Sequence, residues 1–330
     1  MKGAPPFSLP LPGPAMLHHL PATPETILWG HLDPAAAPVL RIRPGDSVRI
    51  DTLSGGPRNL PGEGSPHRPL DSHRAVMAAQ KPDLGPHMLT GPVYIEGAEP
   101  GDRLIVAVEA VDFAQDWGWS AIEPGFGLFP DLAPAYESLV VPIDADRRTA
   151  RLPWGPEVAL APFFGILAVT PAQGRVSSVP PGVFGGNVDN RAFRQGARIS
   201  FPVQVPGALF LAGDGHALQG DGEICDTALE TALNGRFRFE LEKGTAPEAP
   251  EIEIGEAIIT MGFAADLDTA TRQAASRLLD WICAHTDLTR LEAYRHASML
   301  ADLSITQVVN GQKGVHCRLD RRSLTGARGA

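Results

Sequence analysis

Cysteine is scarce. The chain has three in 330 residues, Cys225, Cys283 and Cys317, far apart and without a CxxC pair. That spacing excludes a disulfide framework and a zinc ribbon, and it fits a reducing compartment. Long apolar runs are missing too, and no uninterrupted stretch is long enough to span a bilayer. The N-terminal MKGAPPFSLPLPGPAM is broken by prolines where a signal peptide needs a continuous apolar segment. A cytoplasmic protein is the expectation. Positive charge is in deficit, with 28 Lys and Arg against 38 Asp and Glu, a net charge of −10. No basic cluster is interleaved with aromatics, so nucleic acid is an unfavoured partner. Serine nucleophile signatures are absent: no G-x-S-x-G elbow occurs. Cys225 lies beside an acidic run, which disfavours its thiolate and suits it to a packing role.

Glycine and proline are plentiful, 35 and 32 residues spread along the chain. They favour short strands joined by turns over long helices. The segments 39–55 and 93–113 alternate apolar and polar residues around a Pro-Gly-Asp turn and read as strands. That recurrence marks either an internal duplication or simply a good turn sequence. Further strands are expected in FFGILAVT from 163, ARISFPVQV, GALFLAG, 236–243, 251–263 and 304–310. Residues 55–86 read as a long loop, and 114–156 as irregular. Helices are expected only late. One spans 266–285 with an aspartate cap; another spans 289–302, with Thr289 and Glu292 at capping-box spacing. The expected fold is β-rich α+β, mostly antiparallel strands in a sandwich or barrel-like arrangement with a small C-terminal helical pair. The length suggests two parts. One is an N-terminal β-rich half (1–156); the other is a C-terminal α/β half (157–330).

The chemistry concentrates in 213-GDGHALQGDGEIC-225, which holds Asp214, His216, Asp221 and Glu223 among four glycines. It follows an apolar strand, and strand ends are where sites are often built. Glycines let a ligand approach the main chain closely. Asp214, His216 and Glu223 together suit zinc or a similar divalent ion. The oxygens miss EF-hand positions, and no Gly-Lys-Ser/Thr completes a P-loop. The plainer alternative is a solvated turn whose acids cap helices. Asp189, in 185-GGNVDN-190, lies in a similar glycine-bounded setting, and His87 stands just before a strand.

These motifs, with TPETILWGHLD (23–33), PGDSVRIDTLSG (44–55), PFFGILAV (162–169) and QVVNGQKGVH (307–316), resemble the acetamidase/formamidase family over nearly the whole chain. The combination of GGN-x-D and GD-x-H-x-x-QGDGE in this order is what is specific. The resemblance implies a β-rich fold and hydrolysis of small aliphatic amides (formamide, acetamide) to carboxylate and ammonia. It also implies a bound divalent metal, zinc first, with calcium as a candidate second ion. The metal residues carried over are Asp189, Asp214, His216 and, by a weaker match, His87. Glu223 or Asp221 would be the catalytic proton carrier, with Gly185, Gly186, Asn187 and Gln219 around the substrate. The expected partners are a small-molecule amide and a second copy of the chain, as a homodimer, with no membrane. The sequence departs from the family pattern at EICDTALE and in the Pro/Arg-rich 55–86, where Arg58, Arg68 and Arg74 would admit a larger or charged amide. Two other functions stay open. One is a non-catalytic protein with a structural metal; the other is a hydrolase of an imide or urea-type compound.

Overall fold

The structure, a computed structural model, describes residues 15–327. The stretch on which the signal-peptide argument rests lies almost wholly outside them. Among the described residues the chain forms two large sheets, of nine and eleven strands, and a two-stranded ribbon. The first sheet runs in the order Leu17–Leu20, Ser47–Asp51, Leu233–Glu242, Arg103–Phe113, Ala197–Pro202, Glu251–Ile254, Ala257–Ala264, Lys313–Asp320, Ala301–Gln307. The second carries Glu137–Asp144, Trp117–Ile122, Leu229–Glu230, Phe210–Leu218, Phe163–Ala168 and Gly185–Asn187 side by side, with Met88–Ile95 also paired to Phe210–Leu218. Pairing is antiparallel except between Leu17–Leu20 and Ser47–Asp51 and between Leu40–Ile42 and Met88–Ile95. This is the expected β-rich, mostly antiparallel sandwich, without a closed barrel. Both sheets contain strands from before and after residue 156.

The two sheets meet face to face because their apolar alternation points inward. Phe237 of the first sheet packs against Phe164 and Phe210 of the second, with ring centroids 5.2 and 5.9 Å apart, and Phe239 lies 5.1 Å from Phe210. All four rings are fully buried, and burying each stabilises the fold by ~1.5–3 kcal/mol.

Helix α1 (Asp71–Ala79) lies in what reads as loop 55–86. It is short, and it buries only His73 and Val76, too few positions to show a period. Residues 114–156, expected to be irregular, contain the strands Trp117–Ile122, Glu137–Asp144 and Thr149–Arg151. Their glycine- and proline-rich connection hides the alternation on either side.

The late helices are where the sequence puts them. Helix α2 (Leu267–His285) starts at Asp266, whose carboxylate accepts the Thr269 amide at 2.8 Å. Helix α3 (Arg290–Leu300) has the full Thr289/Glu292 capping box, and it ends two residues early because strand Ala301–Gln307 begins at once. Helix α2 packs Ala270, Ala274, Leu278 and Ile282 onto the outer face of the first sheet, against Ile258, Val315 and Leu319.

Both Pro-Gly-Asp turns are built alike. Asp46 accepts the Arg43 amide at 3.0 Å, and Asp102 accepts the Glu99 amide at 2.8 Å. No helix among the described residues is long and apolar enough to cross a membrane. The three cysteines are free.

Candidate active site

Asp214 and His216 are two apart on strand Phe210–Leu218, and their side chains converge, Asp214 Oδ2 lying 3.2 Å from His216 Nε2. The ladder then sets their company. Glu230 is registered opposite His216, and Trp119 opposite Glu230. On the other side lies Phe163–Ala168, whose Gly165 sits between Asp214 and Asp189. A Cβ at Gly165 would come within 2.5 Å of Asp214 Oδ2 and 2.6 Å of Asp189 Oδ1. Only glycine leaves room there for the two carboxylates to converge. Asp189 follows strand Gly185–Asn187, and its amide donates to the Gly165 carbonyl at 3.3 Å. Glu223 arrives on the turn after the Phe210–Leu218 strand. That turn is pinned to strand Ala301–Gln307 by the Gly222 amide donating to the Thr306 carbonyl at 3.0 Å.

Two groups of convergent ligand atoms result, Asp189–His216–Glu223 and Asp214–His216–Glu230, each within 4.8 Å. His216 is shared. Its exposure is 0%, and Asp189, Glu230 and Glu223 are at 1, 4 and 6%. Asp189, Asp214 and Glu223 all adopt left-handed φ of +47, +57 and +45°. Non-glycine residues pay strain there, and such residues gather at functional sites.

The tautomer of His216 follows from its neighbour. Gln219 donates its amide to the carbonyls of Asp189 (3.0 Å) and Thr306 (3.3 Å), so its Oε1 faces His216 Nδ1 at 2.8 Å and accepts from it. Nε2 is thereby turned to the acids. It lies 3.2 Å from Asp214 Oδ2 and 3.3 Å from Glu230 Oε1 without a well-formed hydrogen bond to either. Asp189 Oδ1, Glu230 Oε2 and Asn187 Oδ1 are also buried without hydrogen-bond partners. Buried polar atoms normally have partners. Four carboxylates and one imidazole, with orphaned atoms aimed at one another, make a donor set that a divalent cation fits.

The protonation balance of the protein without metal reflects the crowding. Burial, only partly offset by His216, raises Asp189 to about 7. Burial also raises Glu223 and Glu230 well above the carboxylate range, Glu223 being pushed further by Asp189. Burial disfavours the charged form of His216, but Glu230 and Asp214 outweigh it and lift the ring to about 10. For Asp214 burial acts upward, yet His216 and His87 hold it at about 2.

Asp214, Glu223 and Glu230 form the floor of a cavity of about 440 Å³, lined also by His87, Asn187, Asn310 and Asp226; Asp189 and His216 are not in its lining. His87 is outside both ligand groups. Its Nδ1 is 2.9 Å from Ser178 Oγ, and burial keeps it neutral by lowering its pKa. Asn310 donates to Asp189 Oδ2. Asp221 is elsewhere: it is exposed and paired with Arg191 at 2.7 Å. Gln219 stands behind His216, and Gly185 and Gly186 do not line the cavity; of the proposed substrate group, only Asn187 does. The other histidines are engaged away from the cluster, His67 with Asp116 and His73 with the Gly55 carbonyl.

Glu230 and Asn310 were not legible as site residues. The only trace of Glu230 was an acid among apolar neighbours in 228-ALETAL-233. Asn310 lies in QVVNGQKGVH, a stretch that carries no ligand-type spacing.

The model of the Acetamidase/Formamidase family matches residues 22–178 and 172–310. The chain belongs to this family. An acetamidase of Mycolicibacterium smegmatis is 31% identical over 210 residues, 43% of this chain and 50% of that protein. A formamidase of Methylophilus methylotrophus is 26% identical over 243 residues, 56% of each. The chain thus spans about half the length of these curated relatives. The crystal structure of a recombinant predicted acetamidase/formamidase from Thermoanaerobacter tengcongensis superposes with a TM-score of 0.84 at 26% identity, covering 95% of this chain and 98% of that one. The acetamidase/formamidase fold is therefore present nearly end to end.

Proposed function

We propose that this chain is a metal-dependent amidohydrolase that cleaves primary carboxamides, formamide and acetamide among them, to a carboxylate and ammonia. One observation carries the reading: Asp189, Asp214, His216, Glu223 and Glu230 converge, Asp189, His216 and Glu230 with unpartnered atoms, and Asp214, Glu223 and Glu230 line an open cavity. A purely structural metal site would be closed off, whereas this one faces space for a substrate.

Asp189, Asp214, His216 and Glu230 would hold the cation. Imidazole mixed with carboxylates suits zinc, and both ligand groups share His216, so neither is the oxygen-only position that a second ion such as calcium favours. When bound, the cation supplies Lewis acidity toward the amide carbonyl. Glu223 is the proton carrier. It is buried, and burial raises its proton affinity, as a group that must hold and pass on a proton requires. It takes a proton from the attacking water and delivers it to the departing nitrogen as the C–O bond forms and the C–N bond breaks. Asp221, held by Arg191 outside the cavity, is not placed for that step. His87, neutral and tied to Ser178, is assigned to the substrate side of the cavity.

The test is ammonia release from formamide and acetamide by zinc-loaded and chelator-treated protein. Loaded protein should turn over both and treated protein neither. Glu223→Gln should keep its metal while kcat falls by ~10²–10⁴. Full activity after verified metal removal would end the reading.

A further inference from the structure

The cavity is too large for the substrates its relatives are named for. At about 440 Å³ it falls within the ~300–1,000 Å³ range of pockets that enclose drug-sized ligands. Acetamide brings a single methyl group to it. The space beyond the carboxylate floor is walled by Trp119, Tyr136, Phe126, Leu53, Met88 and Val179.

The aromatic part of this wall is held in place. Trp119 is the ladder neighbour of Glu230, so its indole stands next to the cluster. Its Nε1 donates to Ser54 Oγ at 3.1 Å, and it packs over Gly55, where a Cβ would lie 2.8 Å from that nitrogen. The Tyr136 hydroxyl accepts from Asn59 Nδ2 at 2.5 Å, and the Arg58 guanidinium covers its ring at 3.9 Å. Side chains fixed by such contacts are preorganised for a ligand. Phe126 stands at the rim with 54% of its surface exposed, an apolar ring that a ligand can cover.

Charge narrows the class further. Arg58 is the only lysine or arginine lining the cavity among the described residues, and Glu123 holds it at 3.0 and 3.1 Å. Arg68 and Arg74 are bound to the backbone and to Asp71 away from the cavity. In the wall beyond the floor an anionic acyl group would meet no unpaired lysine or arginine, because Glu123 already holds Arg58.

We propose that the preferred substrate of this site is a neutral primary amide with a flat apolar acyl group, an aryl or arylalkyl carboxamide, seated between Trp119, Tyr136 and Phe126. The proposal rests on the amide-hydrolysis reading above and names its substrate class. The reaction is unchanged: water adds to the carbonyl carbon, the C–N bond breaks, and ammonia leaves with the proton from Glu223.

The experiment is kcat/KM for zinc-loaded protein on phenylacetamide, benzamide, acetamide, succinamate and glycinamide. One methylene in an apolar pocket is worth ~10–200-fold in such a ratio. Phenylacetamide or benzamide should therefore lead acetamide by at least about tenfold. Phe126→Ala should cut the phenylacetamide-to-acetamide ratio by about tenfold, and the rim position of the ring leaves folding intact, as a thermal melt checks. Acetamide, succinamate or glycinamide leading the panel would overturn the proposal and leave the amidase reading standing. A ratio unmoved by Phe126→Ala would overturn the assigned wall. Ammonia from none of the five would overturn both readings together.

Discussion

Gly165 faces Asp214 across the ladder, and the space its missing side chain leaves is where the carboxylates of Asp214 and Asp189 meet. Gly165→Ala would set a methyl group at 2.5 and 2.6 Å from two of their oxygens, closer than any real contact. The strand is buried, so the carboxylates must give way. Zinc affinity should fall by at least about tenfold, the scale seen when support around a metal is disturbed. Competition with a chromophoric chelator measures it. A variant that binds zinc like the parent would show that the two carboxylates do not share an ion.

Gln219 orients His216, and through it would act on the metal proposed above. Gln219→Leu removes the acceptor for Nδ1–H and frees the ring to rotate or change tautomer. Zinc affinity should drop ~10–100-fold. Gln219→Glu keeps an acceptor and should retain more of it. The same chelator competition separates the two variants, and equal losses in both would remove the orienting role.

Metal uptake should release protons. Without a cation, His216 is raised to about 10 and Asp189 to about 7, while Glu223 and Glu230 lie well above their usual range. Groups with raised pKa must give up protons before they can ligate, so affinity rises with pH and falls as pH drops. Between roughly pH 6 and 8 the affinity should climb about tenfold per unit for each proton displaced. Calorimetry in buffers of different ionisation enthalpy counts those protons. A pH-independent affinity would contradict the ligand set.

The second Pro-Gly-Asp turn gives a stability prediction from a pKa shift of the opposite sign. Asp102 accepts from the amides of Glu99 and Gly244 and from Lys243 Nζ. Burial acts upward on its pKa, but these partners, Lys243 first, hold it below 3.8. A depressed folded-state pKa stabilises the protein fully above the unfolded value, and the benefit is lost as pH falls through the folded value. Asp102→Asn should cost ~1.5–3 kcal/mol at neutral pH, the scale of hydrogen bonds to a charged group. The two proteins should converge in urea titrations as the pH falls below the ordinary carboxylate range and Asp102 takes up its proton. A difference that persists there would trace to packing instead.

Much of this was legible locally. The capping box at Thr289 and the aspartate cap at 266 are signals carried by a few adjacent residues, and both helices follow from them. Asp189, Asp214, His216 and Glu223 stood out because glycines surround them, and the structure brings all four together. What local pattern could not supply was register. Glu230 joins His216 only because strand Leu229–Glu230 pairs with Phe210–Leu218, and Asn310 reaches Asp189 across 121 residues of chain. Asp221 shows the converse: it sits in the same glycine-rich run, yet the turn directs it outward to Arg191. Helix α1 was hidden because its burial rests on His73 and Val76 alone.

The strand order of the first sheet also sets a schedule for synthesis. Arg103–Phe113 lies between Ala197–Pro202 and Leu233–Glu242, both of which leave the ribosome after it. At ~5–20 residues per second its two edges wait on the order of several seconds for their partners. Through that interval Val106, Val108 and Val111, fully enclosed in the finished protein, are carried on a strand with no neighbour on either side. Yield in a fast-translating host should therefore depend on how that nascent edge is shielded, and slowing elongation between residues 113 and 197 would lengthen the exposure rather than relieve it.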